Sequence, residues 1–334
     1  MRDTGKKNEA PDILMTERWN KERIVYWMTQ LYDAGYVGER DELSSYLSGI
    51  VDYPTLSEDY VRTAVRLCRA GYVEHTLHPH ESLFYHIENA TSLQINLAVV
   101  LCDNGYVEHS YAPHGQLFTT LQGSRFDMSS KQLTWALQLC TVGYVSRAKH
   151  PHARLLHDLE SVTNEQVEWM LRLIEAGYRD SSDGHHIKLL RECAVPSLKP
   201  WTLLSRRTHQ QILEWAEQLI EAGYVESTSG PHLNLICHLR HWVSTEGKRG
   251  AANYVDLAIK LCNAGYTESL TGTHLNMCSS IANRKLTANH VERIVHLISI
   301  GYKEEPHEDL LNMSLARVQG EIDRIELASS RMGS

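Results

Sequence analysis

One nine-residue phrase constrains this chain more than anything else in it. "LCRAGYVEH" (67–75) returns 34 residues later as "LCDNGYVEH" (101–109). Looser copies continue the series: "LCTVGYVSR", "LIEAGYRDS", "LIEAGYVES" and "LCNAGYTES" follow, "QLYDAGYVG" precedes and "LISIGYKEE" closes. Aligned on Gly-Tyr there are eight units, at Gly35, Gly71, Gly105, Gly143, Gly177, Gly223, Gly265 and Gly301. A period of this size marks stacked supersecondary units, each unable to bury its own apolar face alone.

The columns of the repeat have helical spacing. Four residues before each Gly stands Leu, and seven before stands a small or apolar residue such as Ala64, Ala98, Ala136 or Met170. Eight before, four units carry Trp27, Trp135, Trp169 and Trp215. Offsets of three, four, seven and eight lie on one face of a helix. The Gly then reads as a left-handed helix stop, with the Tyr packing back on the helix end. Twelve residues past Gly comes Leu47, Leu83, Leu117, Leu155, Leu189, Leu235, Met277 or Met313, and sixteen past comes a second apolar residue, Val51 through Ile281, with Arg317 the exception. That pair starts a second amphipathic helix. The expected fold class is all-α: a helical repeat solenoid of about eight helix-loop-helix units. Residues 1–14 are expected to be a disordered N-terminal tail, 15–312 the array, and 313–334 a C-terminal capping helix and tail, with Leu315, Val318, Ile322 and Ile325 on one side of that helix.

Motifs within the units resemble the ankyrin repeat. "HLNLICHL" (232–239) and "THLNMCSSI" (273–281) look like the T-P-L-H opening of its first helix, and "VRLCRAGYV" and "LAIKLCNAGYT" like its L-L-x-x-G-A-D close. The resemblance covers about residues 20–312. It implies a protein-binding array with a concave face for a partner. Tyr stands where that family has Ala after Gly, T-P is absent, and the polar segment is shorter than the family's hairpin. A HEAT-like helical solenoid is the alternative architecture.

Composition narrows the function. A net charge of −8 argues against a partner bound through nucleic-acid phosphates. Seven cysteines without C-x-x-C, four of them (Cys68, Cys102, Cys140, Cys262) in one apolar column, read as reduced core thiols. No apolar run of eighteen exists to span a membrane, and the first twenty residues hold no stretch of signal-peptide type. The expected setting is cytoplasmic, or the cytosol of a host if the protein is a secreted effector.

Two columns carry ionisable groups. His80, His114, His152, His186, His232 and His274 stand nine residues after Gly, with His75, His78, His109, His150 and His185 nearby. Glu74, Glu108, Glu226, Glu268 and Glu304 stand three after it. "HTLHPH" and "KHPH" have the look of metal ligands, but stacked repeats lie about 8–10 Å apart and zinc needs nitrogens at about 2 Å. Recurrence itself favours a structural ladder in which each ring bonds an orphan backbone N–H or the loop of the next unit. No phosphate loop, H-E-x-x-H or nucleophile elbow is present. The chain is therefore expected not to be an enzyme, with no catalytic or metal residue and no small-molecule cofactor.

Partner binding is expected where the repeat is broken. The spacings of 46 and 42 residues around Gly223 insert "AVPSLKPWTLLSRRTHQQ" (194–211) and "RHWVSTEGKRGAAN" (240–253). These carry Trp201, Arg206 and Arg207, and Trp242, Lys248 and Arg249, residue types that favour an interface with an acidic protein. If the two tryptophans are core instead, the binding face falls on the first-helix surface at Tyr85, His86, His157 and Arg191. The expected function is a non-catalytic interaction scaffold, binding a partner protein on the concave face or on that insertion edge. The alternatives are a host-directed bacterial or viral effector on the same scaffold, and a His-rich metal-binding or enzymatic protein.

Overall fold

A computed structural model describes residues 19–48, 57–122, 130–194, 205–269, 271–302 and 307–332. The expected tail at 1–14 lies outside them. The described residues are helical, with no strand among them, only an isolated bridge between Arg147 and His150. The chain divides into two compact units, Met1–Asp103 with Tyr111–Phe126, and Asn104–Ser110 with Asp127–Ser334.

The first unit holds α1 (Lys21–Asp33), α2 (Arg40–Ser48), α3 (Glu58–Arg69), α4 (Leu83–Asn89), α5 (Ser92–Asp103) and α6 (Leu117–Gln122). Within it α1 packs on α2 and α3, α3 on α4 and α5, and α5 on α6. The second unit holds α7 (Ser130–Thr141), α8 (Leu155–Asp158), α9 (Asn164–Glu175), α10 (Leu189–Cys193), α11 (Arg206–Glu221), α12 (Leu235–Asn263), α13 (Met277–Arg284), α14 (Ala288–Ser299) and α15 (Leu315–Met332), with 3-10 turns at Leu159–Ser161 and His307–Asn312. Its long helices pack in chain order, α7 on α9, α9 on α11, α11 on α12, α12 on α14 and α14 on α15. In α15, Val318 and Ile322 are buried, the side read as apolar from sequence.

Each long helix begins and ends for a local reason. Asn20, Ser57, Thr163, Ser205 and Thr287 are extended N-caps whose side chains accept the N3 backbone N–H. Thr163 and Gln166 complete a capping box. At the other end all eight Gly of the Gly-Tyr pairs have φ between +76° and +100°. In seven of them the Tyr N–H donates to the carbonyl of the Leu five residues earlier at 2.8–3.2 Å, while the Gly N–H closes the turn inside. This is the Schellman stop, and the left-handed residue it requires is Gly because a Cβ is strained there.

The first helices are too short to persist alone: α8 has 4 residues, α10 has 5 and α6 has 6. Burial holds them. Leu83, Leu117, Leu189, Leu235 and Met277 have no exposed surface, and neither does any of the eight leucines four residues before Gly.

Two expectations are corrected. In the eighth repeat the place of the first-helix leucine is taken by Leu310, at 0% exposure; Met313 is buried too but lies one residue past the 3-10 turn. The loop there is three residues shorter than elsewhere, so counting from Gly301 overshoots. The second correction concerns 240–253, which is helix rather than a projecting loop. α12 runs through it, broken only at Gly247 (φ 69°, ψ 176°), a backbone open only to glycine. Leu235, Leu239, Trp242 and Val243 carry the apolar stripe onward, and Ala251, Tyr254, Val255 and Ala258 resume it, so the added residues lengthen both helices.

Candidate functional site

The histidine column is the densest chemistry in the chain, and both units use it alike. In the second unit, the Val107 N–H donates to His152 Nδ1 at 2.8 Å, Val145 to His186 at 3.1 Å, Arg179 to His232 at 2.9 Å, Val225 to His274 at 3.0 Å and Thr267 to His307 at 3.2 Å. The backbone N–H of each of these histidines donates back to the carbonyl of the same residue at 2.7–3.0 Å. In the first unit the Val37 N–H donates to His80 Nδ1 at 3.0 Å and the Val73 N–H to His114 Nδ1 at 2.9 Å. Each ring therefore takes a backbone N–H, the first of the two partners the sequence offered, and that N–H belongs to the residue after Gly-Tyr of the preceding repeat rather than to the loop of the next.

The other nitrogen is also committed. Nε2 of His80, His152, His186, His232 and His274 donates to the carbonyl of its own repeat's tyrosine, Tyr72, Tyr144, Tyr178, Tyr224 and Tyr266, at 2.7–3.0 Å. An N–H only donates and a carbonyl only accepts, so these five rings are neutral and carry their proton on Nε2. Each clamp ring lies flat on the preceding repeat's tyrosine, from Tyr36–His80 at 5.2 Å to Tyr266–His307 at 5.9 Å between centroids. His307, six residues after Gly301, is a seventh member that the nine-residue count missed. The spacing that finds it is His-x-x-Leu, shared by His80 with Leu83 and by His307 with Leu310.

Burial lowers the pKa of His80, His152 and His274, and takes those of His186 and His232 down to about 4, against the bond to the tyrosine carbonyl that favours the charged ring. A ring with both nitrogens occupied offers no lone pair to a metal or a proton donor. Among the described residues no group of three or more His, Cys, Asp or Glu is placed to hold a metal ion.

The acidic column is equally committed. Glu74, Asp180, Glu226 and Glu268 each accept the backbone N–H eight residues on, at Ser82, Lys188, Asn234 and Asn276, where the first helix starts. Tyr178 Oη donates to Asp180 at 2.7 Å and Tyr266 Oη to Glu268 at 3.1 Å. Asp180 thus belongs to a column the sequence reading confined to Glu; Glu304 lies outside the described residues. Burial pushes the Glu74 carboxyl up to about 7. At Glu226 burial also raises the pKa, but bonds from His238 and Asn234 outweigh it and hold the group below the usual range. The seven cysteines are free thiols; burial pushes Cys68, Cys140 and Cys262 up to about 12, which leaves them poor nucleophiles.

The insertion residues have different settings among the described residues. Trp242 is 1% exposed and meets Tyr254 edge-on at 5.6 Å, so it is core and is withdrawn from the partner surface. Trp201 lies outside the described residues. Arg206 and Arg207 open α11 rather than a loop; Arg206 pairs with Glu165 of α9, and Arg207 is exposed. Lys248 and Arg249 are exposed beside the Gly247 kink.

The first-helix residues fare differently. Tyr85 is 60% exposed. His157 and Arg191 are exposed beside Glu160 and Glu192. His86 is half-buried and stacks on Phe118 at 5.5 Å. Tyr85, Thr119, His157, Arg191, Cys237 and Ser279 share one repeat position, fourteen after Gly, and all six are exposed. Two residues earlier in the same helices stand only buried Leu and Met. No helix among the described residues is long and apolar enough to cross a membrane. Comparison with protein-family models, curated proteins and solved structures finds no match.

Proposed function

We propose that this chain is a non-catalytic interaction scaffold, an ankyrin-like helical repeat solenoid that binds a partner protein on the exposed side of its first helices. The observation that carries the reading is the contrast within those helices. In the six repeats from Gly71 to Gly265 the position twelve after Gly is buried Leu or Met, whereas the position fourteen after Gly is exposed and differs in each, from Tyr85 to Ser279. Folding accounts for the first column and leaves the second unused, which is how a scaffold carries specificity. The enzymatic alternative loses its best candidates, since the histidine and carboxylate columns are spent on backbone groups. Free thiols fit a reducing compartment, so the proposed setting is the cytoplasm, or a host cytosol if the chain is delivered there.

The test is capture of a partner from the source cell by the immobilised full chain, followed by a variant carrying Tyr85→Ala, His157→Ala and Arg191→Ala. The expected result is loss of the partner with an unchanged melting temperature. Capture that survives all three substitutions contradicts the assignment of the face.

A further inference from the structure

The second unit carries a basic surface that the sequence reading did not single out. Arg147, Lys149 and Arg179 are exposed and Lys188 is half-exposed, in a chain whose net charge is −8. None of the four has a carboxylate within 4 Å among the described residues, whereas their neighbours are paired: Arg154 with Asp158 at 3.7 Å, His157 with Glu160 at 3.6 Å and Arg240 with Glu192. Asp180 is buried under the start of α10, which leaves Asp183 as the exposed acid of the loop that holds Arg179.

The clamps bring Arg147, Arg179 and Lys188 onto adjoining loops. His186 is bonded to Val145, two residues before Arg147, and His232 to Arg179 itself. Lys188 Nζ reaches the Leu233 carbonyl at 3.5 Å. Ile187, between His186 and Lys188, is 50% exposed, and Leu233, at the same repeat position one repeat on, is 39% exposed. An apolar spot on consecutive repeats thus lies beside Arg179 and Lys188, with Arg147 in the adjoining loop; of these Lys188 also faces the buried Asp180 carboxylate.

The geometry points to a docking surface for an extended acidic peptide that carries an apolar residue, with Arg147, Lys149, Arg179 and Lys188 meeting its carboxylates and Ile187 and Leu233 its apolar side chain. The inference rests on the scaffold reading above and names the chemistry of the partner. Charge complementarity argues for a peptide. Four cations around exposed aliphatic side chains match alternating carboxylate and apolar groups, while a phosphate backbone has no use for the aliphatic ones. Repeats stack about 8–10 Å apart, so about nine extended residues at ~3.3 Å each cross three of them.

The probe is a fluorescein-labelled Glu-Glu-Leu repeat peptide of about nine residues, titrated by anisotropy against the full chain. A Gln-Gln-Leu peptide and a labelled single-stranded DNA are the comparisons. The acidic peptide is expected to bind, the Gln peptide not to, and raising salt from about 50 to 500 mM to weaken binding by at least about tenfold. Replacing Arg147, Lys149, Arg179 and Lys188 together with Gln should abolish binding while helicity persists, and Ile187→Ser should weaken it several-fold. Equal binding of the Glu and Gln peptides, salt-independent binding by the wild type, or tighter binding of the DNA overturns the inference. If the four-Gln variant still binds the partner captured by the wild type, and the Tyr85, His157 and Arg191 variant does not, this surface is excluded and the scaffold reading stands.

Discussion

His150 and His152 stand two residues apart in "KHPH", and only His152 falls in the recurring column, nine residues after Gly143 and three before Leu155. His152 is 5% exposed, lies on Tyr106 and bonds two backbone groups. His150 is exposed at the loop tip, with its ring 4.3 Å from that of His109. The comparison teaches that the residue type carries no function here; the backbone groups within its reach decide. One region of the loops is a joint between repeats, held by the same contacts each time, and the other is surface.

Acid should break the joint first and hardest. Five clamp histidines, His80, His152, His186, His232 and His274, have folded-state pKa values below their ordinary value, those of His186 and His232 at about 4, so as pH falls below about 6.5 the unfolded chain binds protons that the folded chain refuses. Their contribution is complete above about pH 6.5 and is lost as pH falls toward about 4. For His186 and His232 each shift corresponds to roughly 3 kcal/mol. Glu74, raised to about 7, acts in the opposite direction and withdraws stability as pH rises from about 4.5 to 7. Asp180, whose carboxyl burial also raises, acts as Glu74 does, and these two carboxyls oppose five rings, so urea midpoints are expected to fall from pH 6.5 to 4.5. A flat profile contradicts this.

Substitution sharpens the same contrast. His152→Ala removes two buried bonds and leaves the Val107 N–H and the Tyr144 carbonyl unpaired, an expected loss of about 3–5 kcal/mol. His150→Ala is expected to stay within about 0.5 kcal/mol, as surface changes do. Chemical denaturation of the pair measures the difference directly. Trp242→Ala, also about 3–5 kcal/mol, tests the reassignment of that residue to the core, against near-neutral Arg207→Ala. The smallest of the three losses belongs to the helix stop. At Gly223 an added Cβ meets nothing within 4 Å, so Gly223→Ala carries only the backbone strain of φ +87°, about 1–2 kcal/mol.

Much of this was legible in the sequence because burial and backbone geometry impose residue type. The leucine columns, the Gly stop and the histidine recurrence follow from helical spacing and from a conformation that excludes a Cβ. Legibility ended where a count along the chain stood in for a distance in space. His307 and Leu310 were missed because their loop is three residues short, although His-x-x-Leu persists. Trp242 was read as surface because added residues were equated with a loop, although Leu235, Leu239 and Val243 already continued a helical stripe. The stacking of each histidine on the preceding tyrosine lay beyond any pattern within a single repeat, since its partners stand 41–54 residues apart and those of the clamp bonds 40–53.

The central claim is that the recurring histidines are neutral structural joints between repeats. Nitrogen-15 NMR of the imidazole rings at pH 6 tests it most directly, because the two ring nitrogens report which one carries the proton. The account expects His80, His152, His186, His232 and His274 as single Nε2–H tautomers that remain unprotonated at that pH. Rings that are protonated at pH 6, or that exchange between the two tautomers, would show that the clamp does not hold the repeats together.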